Sequence, residues 1–224
     1  MHKFFEKFDF ITNDKSIYLE DVIEFSEDFC DWNQIEYAVN HPYLFKFELI
    51  DSNSNKIIIP ENNYMWTDHP TQSNKFIIDN INLGNGLVIT RWDDANHFTN
   101  NFCKMLDNTF DVASSAHVYC GLAGSKSLKL HTDEPPNFII QIEGKTRWRV
   151  FKNRLSSLYR SGKFVPNEND LELDFEITMK PGDLLYVPNK VYHKAMPDQK
   201  RISISFPCWP TSNKQDRNYY KINL

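Results

Sequence analysis

Apolar and polar residues alternate in short runs from about Ser114 onward, with turn residues between them. The runs are His117 to Gly121, Ser127 to His131, Asn137 to Glu143, Thr146 to Lys152, Phe175 to Met179, Asp183 to Val187 and Arg201 to Phe206. A period of two over five to seven residues predicts a half-buried strand. The first half mixes patterns. Leu44 to Ile50 alternates, and with the polar turn Asp51 to Asn55 and the run Lys56 to Ile59 it predicts a hairpin. Leu19, Val22, Ile23, Phe25 and Phe29 are spaced as on a helix over 19–29. Phe98, Phe102, Met105 and Leu106 predict a second helix from Asn96 to Phe110, with Asn96 or Asp94 as N-cap.

Many short strands at close spacing predict a closed antiparallel architecture. The fold class expected is mainly β with α: a jelly-roll barrel (a double-stranded β-helix) carrying an N-terminal α/β cap. At 224 residues the chain is one domain's length. Its expected divisions are an N-terminal elaboration over 1–112, a barrel core over 113–210 and a tail over 211–224.

Composition narrows the function classes. A hydrophobic fraction of 41% with 17 Phe and 10 Tyr suits a strand-built core, and a net charge of −5 argues against generic nucleic-acid binding. Cys30, Cys103, Cys120 and Cys208 are scattered and form no C-x-x-C pair, so they read as reduced thiols rather than a zinc or redox motif. Glu6, Lys7 and Asp9 interrupt the N-terminal apolar residues, and no apolar run reaches the length of a membrane span. A cytoplasmic protein without membrane contact is the expectation. An edge strand or the N-terminal helices could pair two copies as a homodimer.

The candidate chemistry centres on His131-Thr132-Asp133. Residues two apart on a strand share a face, so His131 and Asp133 can aim at one ion. His193 follows Lys180-Pro181-Gly182-Asp183-Leu184-Leu185-Tyr186-Val187-Pro188, a turn, a strand and an exit, and supplies a third ligand. Two His and one carboxylate with open positions is the arrangement of non-haem Fe(II) oxygenases. His41, His69, His97 and His117 read as ordinary surface or core histidines, and Trp66, Trp92, Trp148 and Trp209 as core or rim aromatics.

The stretch HTDEPPNFIIQIEGKTRWRV from His131 to Val150, with PGDLLYVPNKVYHKA later in the chain, resembles the JmjC and cupin-4 hydroxylases. That group includes the ribosomal oxygenases and the asparaginyl hydroxylase acting on hypoxia-inducible factor. Fainter echoes lie in FFEKF at Phe4 to Phe8 and LGNGLVITRWDD at Leu83 to Asp94. The resemblance implies a double-stranded β-helix holding Fe(II), 2-oxoglutarate as cosubstrate, and dioxygen. It implies hydroxylation of an unactivated C–H, with a peptide or protein side chain as substrate and a small molecule as the alternative.

In that family a Lys or Arg two residues after the glycine of Q-x-x-G anchors the far carboxylate of 2-oxoglutarate. Here Gln141-Ile142-Glu143-Gly144 is followed at that position by Thr146. Asn137 matches a cosubstrate-contacting asparagine, and Tyr119 and Thr146 are further candidate polar contacts. Arg201 and Ser203 share one strand face and offer a guanidinium clamp with hydroxyl support. Lys129, on the predicted face of His131, is the next candidate anchor, and a bulge turning Arg147 inward is the third. Two other readings stand beside the oxygenase: a metal-dependent cupin enzyme that does not use 2-oxoglutarate (an epimerase or other oxidase), favoured by Thr146, and a non-catalytic barrel interaction module.

Overall fold

The computed structural model of the chain describes residues 14–24, 26–62, 71–161 and 165–210. The strands among them are β1 (Ile17–Leu19), β2 (Lys46–Ile50), β3 (Lys56–Ile57), β4 (Glu61–Asn62), β5 (Thr71–Gln72), β6 (Gly86–Thr90), β7 (Val112–Ser114), β8 (His117–Gly121), β9 (Asn137–Glu143), β10 (Thr146–Arg154), β11 (Leu173–Met179), β12 (Leu184–Val187), β13 (Val191–Pro197) and β14 (Arg201–Pro210). The α-helices are α1 (Trp32–Asn40), α2 (Asn74–Asn82) and α3 (His97–Phe110).

Two antiparallel sheets hold all of these strands except β4 and β5, which pair with each other. The larger runs β1-β12-β9-β14-β8-β6-β2-β3, with β7 also on β14, and the smaller runs β11-β10-β13. From β9 to β14 the chain passes back and forth between the sheets, which is the jelly roll expected from the spacing of the runs. The N-terminal half is not a separate layer: β1, β2, β3 and β6 enter the larger sheet.

The period-two pattern assigns each residue its side. On β9, Phe138, Ile140 and Ile142 pack into the larger hydrophobic core with Leu184, Tyr186, Ile202, Ile204 and Phe206, under the helices. Ile139 faces the other way, into a second core with Leu185, Val187, Trp148, Val150, Met179 and Ala195, between the two sheets. Both faces of the larger sheet are therefore covered, and its polar inward residues are the exceptions that build the site. Gly144 makes the tight turn from β9 to β10 with φ +68, and a Cβ there would collide with the Lys200 carbonyl oxygen.

Helix α3 forms as its pattern predicts. Asn96 caps it, its side chain accepting from the N–H groups of Phe98 at 2.9 Å and Thr99 at 3.1 Å, a contact worth about 1 kcal/mol. Phe102 packs edge-on against Phe206 of β14, ring centroids 4.6 Å apart. The hairpin expected at 44–59 is present as β2 and β3, paired at Leu49–Ile57 and Ile50–Lys56.

Two local expectations fail. The helix expected over 19–29 is instead the end of β1, an irregular turn and a 3-10 segment at Ser26–Phe29. Its backbone donors are taken by tertiary partners: Val22 and Ile23 both donate to the Gly182 carbonyl at 3.0 Å, and Asp21 N–H donates to the Asp183 carboxylate at 3.0 Å. The strand expected from Ser127 to His131 is irregular and meets a neighbour only in an isolated bridge at His131. Lys129 there turns outward and its ammonium donates to Asn55 Oδ1 at 2.8 Å. The pattern also passes over α1, α2, β6 and β13. The echo at Phe4 to Phe8, His69, Trp66 and the tail over 211–224 lie outside the described residues.

Candidate metal centre

His193 points inward from β13 and is 2% exposed. Its backbone exchanges two hydrogen bonds with His131, N to O at 3.0 and 3.1 Å, which sets the rings 4.4 Å apart. Asp133 is fixed by Lys190, whose N–H donates to the Asp133 carbonyl at 2.7 Å. The three side chains converge: His131 Nε2 lies 3.7 Å from Asp133 Oδ1, and His193 Nε2 lies 3.5 Å from Asp133 Oδ2. One ligand atom from each residue falls within 4.8 Å of the others.

The outer contacts orient these ligands. His131 Nδ1 lies 2.8 Å from the Lys129 carbonyl and His193 Nδ1 lies 2.9 Å from the Val191 carbonyl. Each Nδ1–H donates to the backbone two residues back, which leaves Nε2 of both rings for an ion. Asn137 Nδ2 donates to Asp133 Oδ2 at 3.1 Å. Burial opposes charge on Asp133, but the hydrogen bond and charge of His193 outweigh it and hold the carboxyl well below its usual range. Burial, helped by the neighbouring His193, pushes His131 down to about 4. His193 is raised, because the hydrogen bond and charge of Asp133 overcome the effect of burial. An anionic carboxylate beside two imidazoles, all aimed at one point, is a donor set that fits a divalent transition metal.

Behind the three ligands lies a cavity walled by Tyr119, Asn137, Ile139, Trp148, Arg201 and Ser203, among others. Asn137 Oδ1, Trp148 Nε1 and Arg201 Nε are buried there with no hydrogen-bond partner among the described residues. Orphaned buried polar groups are unfavourable unless a ligand satisfies them. The two donors, Trp148 Nε1–H and Arg201 Nε–H, with the guanidinium charge, suit a small anion, and Asn137 Oδ1 calls for a donor. Arg201 is 2% exposed, its Nη1 donates to the Tyr119 carbonyl and to Ser203 Oγ, both at 3.2 Å, and burial lowers its pKa to about 10. It stays cationic at neutral pH.

The structure thus gathers His131, Asp133, His193, Asn137, Tyr119, Arg201 and Ser203 at one cavity. Lys129 and Thr146 are not on its wall. Lys129 is tied to Asn55, and Thr146 is fully buried with its hydroxyl unpartnered. Arg147 faces outward and pairs with Glu176 at 3.6 Å. Sequence reasoning missed Trp148 as a wall residue, although it shares the inward parity of Val150. It also missed Gln141, which accepts from Ser203 Oγ at 2.9 Å and donates to the carbonyls of Glu143 and Ile202 at 2.8 and 3.2 Å. His41, His97 and His117 lie away from the cavity: His41 stacks on Tyr37 and His117 contacts Ser115 at 3.1 Å. The four cysteines are buried and none is in a disulfide among the described residues. Among the described residues no helix is long and apolar enough to cross a membrane.

The family model of the JmjC domain matches residues 93–216, more than half of the chain. Over 97 residues, 42% of its length, the chain is 34% identical to the bifunctional lysine-specific demethylase and histidyl-hydroxylase NO66 of Dictyostelium discoideum. Over 120 residues, 51% of its length, it is 31% identical to ribosomal oxygenase 1 of Gallus gallus. These matches span 19% and 20% of the relatives, so the chain covers about a fifth of their length. Among solved structures, the ribosomal oxygenase YcfD of Escherichia coli in complex with cobalt and 2-oxoglutarate superposes with a TM-score of 0.62 at 16% identity, over 93% of this chain and 56% of that one.

Proposed function

The chain belongs to the JmjC domain family, and on that premise we propose that it is an Fe(II)- and 2-oxoglutarate-dependent oxygenase that hydroxylates an unactivated C–H on a peptide or protein side chain. One observation carries the reading: two histidines and an aspartate converge at the mouth of a cavity whose wall holds an unpaired guanidinium N–H, amide oxygen and indole N–H. Iron bound there would supply the activation of dioxygen that couples decarboxylation of 2-oxoglutarate, to succinate and CO2, with insertion of one oxygen atom into the substrate C–H.

The chain's own residues do the rest. His131, Asp133 and His193 hold the ion, and Asn137 keeps the Asp133 carboxylate turned toward it. Arg201, rather than Lys129 or Thr146, takes the far carboxylate of 2-oxoglutarate. Its Nη1 is committed to Tyr119 and Ser203, which fixes the guanidinium plane, and its buried Nε has no partner among the described residues. Tyr119 and Ser205, which share a hydrogen bond, line the same wall. Ile139, Leu128 and Ala195 are the apolar part of the lining and limit the water that reaches the reacting centre. Four buried thiols support a reducing, cytoplasmic setting.

The test is an anaerobic titration of metal-free protein with Fe(II) and then 2-oxoglutarate, read by the visible metal-to-ligand charge-transfer band. A saturable band is the expected result. Iron binding without the band would favour a metal enzyme with another substrate, and absence of iron binding would overturn the proposal.

A further inference from the structure

Strand β13 is an edge of the smaller sheet, paired on one side only, with β10. On its other side the single bridge between His131 and His193 is the only backbone pairing of the strand among the described residues. His193 spends both its N–H and its C=O on that bridge, so both point away from β10. Antiparallel strands alternate the side to which successive residues bond, so Lys194 bonds toward β10 and Ala195 turns its N–H and C=O to the free edge. Pro197, two residues further, has no N–H and ends the run.

The chain before His131 would have covered this edge had it continued as a strand. Instead it diverges, and a slot of about 590 Å³ opens between Ser127 and Leu128 on one side and Ala195 and Met196 on the other. Ser127, Leu128 and Ala195 also line the cavity behind the metal ligands, so slot and cavity are neighbours that share these residues as a wall. The β2–β3 turn, Ser52 to Ser54, forms the outer wall, braced by the bond from Lys129 to Asn55.

Cations line this slot. Lys126, Arg147 and Lys194 border it, against one bordering carboxylate, Asp198. Arg147 pairs with Glu176 at 3.6 Å and Lys194 with Glu168 at 2.9 Å, and Arg149 is bonded to both glutamates, none of the three lying on the slot wall. Four cations thus face three carboxylates, and the slot side of the group is the positive one.

We propose that the slot binds the substrate as an extended peptide added to the free edge of β13, bonded to the N–H and C=O of Ala195, with an acidic side chain of that peptide among Lys126, Arg147 and Lys194. An added strand satisfies the open edge and puts alternate side chains toward the cavity, so one residue of the peptide reaches the metal while its neighbours face the slot walls. The proposal rests on the oxygenase reading for what happens to that residue, and not for the binding itself.

Binding is therefore measured on the metal-free full chain, by fluorescence anisotropy, with two pools of labelled heptapeptides. Both pools have a randomised centre, one with Asp or Glu flanking it and one with Lys or Arg. The acidic pool is expected to bind at least about threefold more tightly. Lys126→Glu together with Lys194→Glu should reverse that preference while the protein remains folded by circular dichroism. N-methylation of the backbone N–H that meets the Ala195 carbonyl, scanned along the best acidic sequence, should weaken binding about tenfold at one or two alternate positions and not between them. Binding should also slow hydrogen exchange of the Ala195 amide. Binding by neither pool, equal binding by both, or indifference to N-methylation at every position overturns the slot. Peptide binding of the expected kind without consumption of 2-oxoglutarate in the iron-loaded protein would uphold the slot and sink the oxygenase reading instead.

Discussion

His131 and His193, distant in sequence, exchange both of their backbone hydrogen bonds across one isolated antiparallel bridge, N to O at 3.1 and 3.0 Å. The backbone rather than the metal thus brings the two imidazoles together. Each ring is further steered by its own Nδ1 contact to the carbonyl two residues back. A site preorganised in this way binds an ion without first ordering a loop.

Removing a ligand should abolish the site without unfolding the protein. His131 and Asp133 are partly exposed, with side-chain exposures of 23% and 31%, so His131→Ala and Asp133→Ala leave small surface defects. Loss of an outer contact alone weakens metal by about 10- to 100-fold, so each of these variants is expected to exceed the upper figure. Isothermal titration with Fe(II) under nitrogen measures it. Full retention of iron by His131→Ala would remove that residue from the site.

Metal affinity should depend on pH through one proton. His131 titrates at about 4 and Asp133 lies below its usual range, so neither carries a proton above about pH 5. His193 is raised, and its proton must be displaced by the incoming ion. Affinity should therefore rise with pH by about one log unit per unit between about pH 5 and 6.5, and level off once pH passes the pKa of His193. A Mn(II) titration series over that range gives the slope. A slope near two would mean that His131 is protonated as well.

Arg201→Met should separate cosubstrate from metal. Charge-assisted hydrogen bonds are worth about 1.5–3 kcal/mol, so the KM for 2-oxoglutarate should rise by about 10- to 100-fold. Iron affinity should stay within about twofold. Lys129→Ala, at a residue bonded to Asn55 outside the cavity, should leave both constants unchanged. An effect at Lys129 and none at Arg201 would reverse the assignment.

Gln141 should act through its neighbours. It is completely buried, accepts from Ser203, and donates to two carbonyls where the register of β14 slips between Ile202 and Ser203. Gln141→Leu leaves those groups unpartnered and should lower stability by about 1–3 kcal/mol, read by urea denaturation. Ser203 would then lose its fixed orientation beneath Arg201, so the KM for 2-oxoglutarate should rise severalfold with kcat little changed. A variant that loses stability alone would show that Gln141 only supports the fold.

The strand pattern after Ser114 is legible because β9 and β12 are buried on both faces and read as apolar runs, while β10 and β11 of the smaller sheet alternate buried and exposed positions, and turns bound each run. The same readability fails at Leu19 to Phe29, where helical spacing is genuine but Gly182 and Asp183 take the backbone donors that a helix would use. It fails again at Ser127 to His131, where alternation is present and only one bridge forms. Strand β13 is not legible in the pattern because Pro188 reads as an exit from the preceding strand, which places His193 past a strand rather than on one.

The sequence by itself determined the fold class and pointed to the three side chains that converge, because a period of two sorts side chains to faces and H-x-D places two donors on one of them. It could name the candidates for the cosubstrate anchor but not choose among them. Arg201, Lys129 and Thr146 differ in what their neighbours do with them, and those neighbours come from distant segments: Tyr119 and Ser203 around Arg201, Asn55 on Lys129. Only the tertiary structure decides which charge is buried beside the cavity. It alone also shows that Ala195 faces an open edge, because that depends on where the chain before His131 leaves β13 and not on any property of alanine.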